Sequence, residues 1–208
     1  GGASDQNLIL FNDATIYNPS HFFGFFSAFN PEAVSNVELY KSSIPAKYGG
    51  RLSSVLQVTG KEGNREQIKG SAGIGLVTSR FNIEGPIAKG KTTFLAGGRT
   101  TYSNWIFKLL PESSGFKNSK ADFKDVNLSV THHFSNEDEI SVTGYLSHDE
   151  SNLNTDTVFR YNNKNISLKW RHGFNQKLSS AFTVGLDHYD YSNHYDADTA
   201  AAYNLDFA

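Results

Sequence analysis

Residues 125–147 read DVNLSVTHHFSNEDEISVTGYLS, and this stretch decides the fold. Val126, Leu128, Val130 and Phe134 fall on one face; Asn127, Ser129, Thr131 and His133 fall on the other. After the polar SNEDE the alternation resumes, with Ile140, Val142 and Leu146 opposing Ser141, Thr143 and Tyr145. A period of two sustained this long marks a two-faced β-strand. A short polar connection makes the two strands antiparallel neighbours.

The pattern continues in both directions. Ile166, Leu168, Trp170 and Phe174 oppose Ser167, Lys169 and Arg171; Leu178, Phe182, Val184 and Leu186 oppose Ser179, Thr183 and Asp187. Upstream, Ile68, Ala72, Ile74 and Leu76 begin the series, followed by strands near 79–85 and 92–102. The connections GPIAKGK (85–91), SNEDE (135–139) and NQK (175–177) are short. SNWIFKLLPESSGFKNSKAD (103–122), HDESNLNTDTVFRYNNK (148–164) and the tail after Asp187 read as long loops. Short and long connections at opposite ends suit an up-and-down transmembrane barrel. Strand segments of about 9–11 residues match a tilted bilayer crossing. Alternation alone suits a soluble β-sandwich equally well. Loop asymmetry and the Lys, Arg and Asp residues on the polar faces favour the barrel. Phe134, Phe174, Tyr189 and Tyr191 near strand ends suit interfacial girdles or a sandwich rim. In the barrel reading Val126, Leu128, Ile140, Val142, Ile166 and Leu168 face lipid, while Asn127, Lys169 and Arg171 face inward.

Composition is consistent with this. Of 208 residues, 13% are aromatic and 18 are glycine, a β-rich mixture. The net charge of −2 gives no electrostatic case for nucleic acid. Cysteine is absent, which removes disulfides and thiolate metal sites. No apolar run approaches the roughly 20 residues of a membrane helix. The opening GGASDQN lacks an initiator Met, and the chain reads as a trimmed piece of something larger.

Residues 1–63 have a different character. NLILFNDATIYN (7–18) is a β-like run with a turn at Asn12-Asp13. In FNPEAVSNVELYKS (29–42), Asn30 is an N-cap, Pro31 a first helical residue and Glu32 a first-turn acid, so a helical turn or two leads into a strand. SSVLQVTG (53–60) is another strand, and Tyr48-Gly49-Gly50 a glycine-permitted turn. The expectation is a small α+β module followed by antiparallel up-and-down strands.

These residues carry a resemblance. NLILFNDATIYN, NPEAVSNVELYKSSIPAKYGGRLSSVLQVTGKEG (30–63) and FNIEGPIAKGK (81–91) are similar to the final plug strands and first barrel strands of TonB-dependent outer-membrane receptors, closest to the SusC-like branch. The chain departs from the pattern at Asn12-Asp13, where the family often has Asp-Gly, and at Ser42-Ser43 after Lys41. The resemblance implies the C-terminal part of a plug over 1–63 and the first seven or so strands of an outer-membrane β-barrel over 64–208. It implies energy-coupled nutrient uptake in a Gram-negative bacterium, with a TonB-type energy-coupling protein and outer-membrane lipid as partners. It leaves open a surface lipoprotein lid and the cargo, whether glycan, peptide or metal chelate.

By the same resemblance Ser4, Asp5, Gln6, Asn18, His21 and Phe22 are ligand-contact candidates at the plug apex. Lys41 would tie the plug to acids of the barrel wall. SHFFGFFSAF (20–29) reads equally as plug core. DHYDYSNHYDAD (187–198) offers two His and four Asp, but without metal-site spacing, and a solvated loop explains it better. His132 and His133 point to opposite strand faces and cannot chelate together. No Ser-His-Asp arrangement is recognisable, and GSAGIG (70–75) lacks the following helix of a dinucleotide site. No cofactor is expected and the chain does not read as an enzyme. A soluble extracellular β-sandwich binding module is the alternative.

Overall fold

A computed structural model describes residues 6–88, 90–153, 157–195 and 203–207. The chain forms two principal sheets.

The first has four strands: β1 (Asn7–Phe11), β2 (Ala14–Thr15), β5 (Val34–Tyr40) and β6 (Ser54–Gly60), in the order β2-β1-β6-β5. β1 runs parallel to β6, with Leu8 beside Val55 and Leu10 beside Gln57. The β1–β2 hairpin turns on Asn12 and Asp13, both left-handed at φ 48° and 70°. Two consecutive positive φ values make the primed turn whose twist matches the flanking strands, and Asn and Asp tolerate it better than most residues. Asn30 caps a single 3₁₀ turn, Pro31–Ala33, by accepting from the Glu32 amide at 3.1 Å. The chain then enters β5 at once. Gly50 closes the Tyr-Gly-Gly turn at φ 81°. A small hairpin, β3 (Ser20–His21) with β4 (Phe26–Ser27), leaves this sheet.

The second sheet is an open antiparallel meander of eight strands: β7 (Lys69–Ile74), β8 (Thr78–Ala88), β9 (Thr92–Thr101), β10 (Lys120–His133), β11 (Asp138–Asn152), β12 (Thr157–Asn175), β13 (Leu178–Tyr195) and β14 (Tyr203–Phe207). Each pairs with its sequence neighbours, and the opening stretch pairs as expected, with Val126 opposite Leu146 and Val130 opposite Val142. Its strands alternate as read. Val126, Leu128, Val142, Ile166 and Leu168 are exposed on one face; Asn127, Thr143, Asn165 and Ser167 are buried on the other. β14 was not foreseen.

The expected strand lengths need correction. β10 to β13 have 14, 15, 19 and 18 residues, so most of 148–164 and 188–195, read as loops, is strand. Their polar side chains pair across strands instead of coiling in solvent. Arg160 Nε donates to Glu150 at 2.8 Å, and the Tyr161 and Tyr191 rings lie 5.1 Å apart. Of the 103–122 stretch, 103–119 is a true long connection and carries a helical turn, α1 (Asn104–Lys108), while 120–122 begin β10.

The four-stranded sheet packs on the polar face of the large one. Phe11, Ile16, Ala28 and Val58 form a core cluster that is completed by Tyr145 of β11. A sandwich would cover the apolar face with a second sheet. Among the described residues that face stays open.

Asn12 bridges the two sheets. Its Nδ2 donates to Thr143 Oγ1 at 2.9 Å, and its Oδ1 accepts from the Gly60 amide at 2.7 Å. Asn12→Ala loses both bonds and keeps the left-handed backbone, so it should cost about 1–3 kcal/mol. Asn12→Asp, which keeps the acceptor, should cost less. Urea unfolding of the intact protein reads the difference, and equal midpoints for both variants would remove the bridge from the account.

Candidate functional site

The β3–β4 hairpin pushes one side chain into the polar face of the large sheet. Alternation along β10 and β11 places Asp125, Tyr145, Ser147 and Asp149 on that face, and Arg99 of β9 lies directly opposite Asp125. His21 enters between them with no exposed surface. Its Nδ1 lies 2.8 Å from Asp149 Oδ2, its Nε2 3.2 Å from Asp125 Oδ2, and its ring stacks on Phe123 at 4.3 Å. The Tyr145 hydroxyl lies 3.2 Å from Nε2. Arg99 Nε donates to Asp125 at 2.9 Å, and its Nη2 donates to the carbonyls of Ser27 at 2.8 Å and Ala28 at 3.1 Å.

Only the imidazolium can donate from both ring nitrogens. With His21 charged, two cations face two carboxylates and the buried cluster is neutral. Burial alone would lower the His21 pKa, but hydrogen bonds and attraction from Asp149 and Asp125 outweigh it and hold the pKa above 6.5.

Other polar ties surround this cluster. Lys169 pairs with Asp13 at 2.6 Å, and the Thr15 amide donates to Asp187 at 3.1 Å. Asn30 Nδ2 donates to Asn82 at 3.1 Å across Gly97, where an added Cβ would lie 2.0 Å from Asn82 Oδ1. Glu32 takes hydrogen bonds from Ser71 and Asn82 and pairs with Arg80, which lowers its pKa. In the connection to β7, burial would raise the Glu62 pKa, but Arg65 and His133 lower it overall.

Above His21, toward the 103–119 connection, lie two cavities that share Phe22. One, of about 560 Å³, is lined by Phe22, Phe25 and Phe26 together with Ile106, Phe107 and Phe116. The other, of about 380 Å³, is lined by Tyr17, Asn18, Asp149, Tyr161 and Tyr189 among others. Phe22 stands at φ 52°, a genuine outlier for a bulky side chain, and such strain clusters at functional sites.

The structure divides the sequence candidates. Asn18 and Phe22 line cavities at the end that carries the long connection. His21 lies beneath them, enclosed by acids. Gln6 is exposed; its carbonyl accepts from Ser53, and it lines neither cavity. Ser4 and Asp5 lie outside the described residues. Lys41 is exposed just past β5, and the ties to the large sheet described above are made by other residues. Sequence reasoning missed Arg99, Asp125 and Asp149. Parity places both acids on the polar face of the opening stretch and its continuation, but nothing in the sequence pairs them with a histidine more than a hundred residues away.

No family model and no curated protein matches the chain. Among solved structures it is similar to the ferric preacinetobactin receptor BauA of Acinetobacter baumannii, with a TM-score of 0.61 at 10% identity, over 91% of this chain and 31% of that one. It is similar to the ferric enterobactin receptor PfeA of Pseudomonas aeruginosa, with a TM-score of 0.54 at 11% identity, over 91% and 38%. The siderophore receptor PirA of Acinetobacter baumannii gives 0.52 at 15%, over 91% and 37%. The chain thus spans about a third of the length of these receptors. At such identities the likeness shows a shared fold.

His21→Leu strands two buried carboxylates beside one arginine and should destabilise the intact protein by about 3–5 kcal/mol. The pH dependence has a definite sign. The His21 pKa is higher folded than unfolded, so its contribution is fully present below about pH 6.5 and is lost as pH rises through the raised value. Urea midpoints should fall across that window in the wild type and stay flatter in His21→Gln. Parallel profiles would show that His21 is not the titrating group.

Proposed function

We propose that residues 1–63 are the last part of a plug, and residues 64–208 the first wall strands, of an outer-membrane TonB-dependent receptor. The whole protein would import a nutrient by energy-coupled transport. One observation carries this reading: a long up-and-down sheet keeps its apolar face open while its polar face holds a separate folded module by hydrogen bonds and ion pairs. A wall between lipid and a plugged lumen needs that polarity. About 22 strands would close such a barrel around its plug. The likeness to solved siderophore receptors supports the reading.

Within the family, the Asn30–Gly63 motif favours the SusC-like branch, with a glycan, peptide or metal chelate as cargo and a surface lipoprotein as a candidate lid. A TonB-type protein would act on the plug from the periplasm. The apex end, with Asn18 and Phe22, would meet ligand, and Ser4, Asp5 and Gln6 stay with that proposal. Lys41 would meet wall acids beyond these strands. Transport needs no covalent chemistry, and the residues gathered around His21 are arranged for holding one module on another.

Two measurements test the reading. The intact receptor should fractionate with the outer membrane, and its uptake activity should vanish when the energy-coupling protein is deleted. A product that folds without detergent and stays in the soluble fraction would defeat the proposal. At the level of faces, Leu128→Arg at mid-bilayer should cost about 2–4 kcal/mol, and Ser129→Arg, on the wet side, much less. Equal losses at the two neighbours would contradict the assignment of faces.

A further inference from the structure

The two apex cavities differ in chemistry and meet at one residue. The larger is bounded mostly by phenylalanines and aliphatic side chains, with Thr101 and Ser103, and no charged residue lines it among the described residues. Its volume suits a small-molecule site. The smaller presents the rings of Tyr17, Tyr161 and Tyr189, and the Tyr17 and Tyr189 rings stack at 5.7 Å. Among the described residues its charged lining is acidic (Asp122, Asp149 and Glu150), with no lysine or arginine. Nearby Arg160 is held by Glu150, and Arg99 by Asp125 and two carbonyls. Aromatic faces beside a carboxylate attract cations and give an anion nothing to bind.

We propose that the apex takes a small amphipathic cation. Its apolar body would lie in the phenylalanine cavity, and its ammonium or guanidinium group among the tyrosines, against Asp149. This rests on the receptor reading and narrows the cargo. A strongly anionic chelate finds no counter-charge among the described residues that line either cavity.

Asp149 gives the site a second property. It lines the tyrosine cavity and also holds His21 at 2.8 Å. A ligand cation reaching Asp149 competes with His21 for the same carboxylate. Among the described residues Asp125, Asp149 and the Tyr145 hydroxyl face His21, and Arg99 pairs with Asp125 behind them. Adding a cation to this neutral set disfavours the His21 proton, so ligand binding and His21 protonation oppose one another. Occupancy of the apex would thereby loosen a tie between hairpin and wall, because a ligand shifts only an equilibrium it binds differentially.

The test uses the full-length receptor in nanodiscs, with empty nanodiscs as the blank. Three probes of one shape are compared: 4-phenylbutyltrimethylammonium, its neutral carbon isostere, and the anion 5-phenylpentanoate. The cation should bind at least about tenfold more tightly than either of the others. Tyr189→Leu should remove that preference and Tyr189→Phe should keep it, because the ring and not the hydroxyl is needed. Phe116→Ala should weaken all three probes. The cation's affinity should rise between about pH 6 and 9 in the wild type and stay flat in His21→Gln. The inference is overturned if the anion binds as well as the cation, or if Tyr189→Leu leaves the preference intact. A receptor that reaches the outer membrane and imports cargo yet lacks this preference refutes the ligand class alone. One that never enters the membrane refutes the receptor reading.

Discussion

A buried histidine held between two carboxylates is the constraint around which this structure is arranged. His21 comes from the N-terminal module, whereas Asp125, Asp149 and Arg99 come from three neighbouring strands of the large sheet. Replacing a buried ionic cluster whole by apolar side chains often costs nothing, but removing one member costs much. The cluster therefore acts mainly on register. Sliding the module by one residue along the sheet would bring His21 opposite a different face pattern and leave charges unpaired. The Asn12–Thr143, Asp13–Lys169 and Asn30–Asn82 contacts repeat that requirement along the interface.

This interface explains the unusual distribution of polarity. In an ordinary soluble domain the apolar faces meet and the polar faces meet water. Here the polar face of the long sheet is the covered one, packed with Asn, Ser, Thr and Asp that find partners in the N-terminal module. Polar packing of this kind permits separation. Groups that hydrogen-bond each other when docked can hydrogen-bond water when apart, so undocking loses little of what an apolar core would lose. Phe11, Ile16 and Val58 are the exception, with Tyr145 as their only partner from the sheet in that core cluster. The module is thus attached by many replaceable bonds and a few apolar contacts, among them the stacks of His21 and Phe26 on Phe123 and of Tyr17 on Tyr189.

The sheet was legible because period-two alternation is local. Val126 to Phe134 and Ile140 to Leu146 fix their own faces, and SNEDE fixes their pairing. The Asn12-Asp13 hairpin and the Asn30 cap were legible for the same reason, since each is decided by side chains within two or three residues. Strand ends were not. Residues 148–164 have a loop's composition, and their β-structure depends on cross-strand partners such as Glu150 with Arg160, which appear only once register is set. The candidate site was half legible. Asn18 and Phe22, named by resemblance, do line cavities. The role of His21 depends on acids 104 and 128 positions away, and no spacing rule spans that distance. The helical turn at Asn104–Lys108 starts at Ser103, whose hydroxyl donates to the Ala121 carbonyl instead of capping it, so the turn depends on a partner 18 positions away.

The most direct test is a double-mutant cycle between His21 and Asp149 in the intact protein, read by amide hydrogen exchange of β1 and β6. His21→Gln and Asp149→Asn should each speed exchange in the N-terminal sheet while β11 and β12 stay protected. Together they should cost less than the sum, with a coupling of about 1–3 kcal/mol. Additive effects, or equal loss of protection in both sheets, would show that this buried pair does not hold the module on the large sheet.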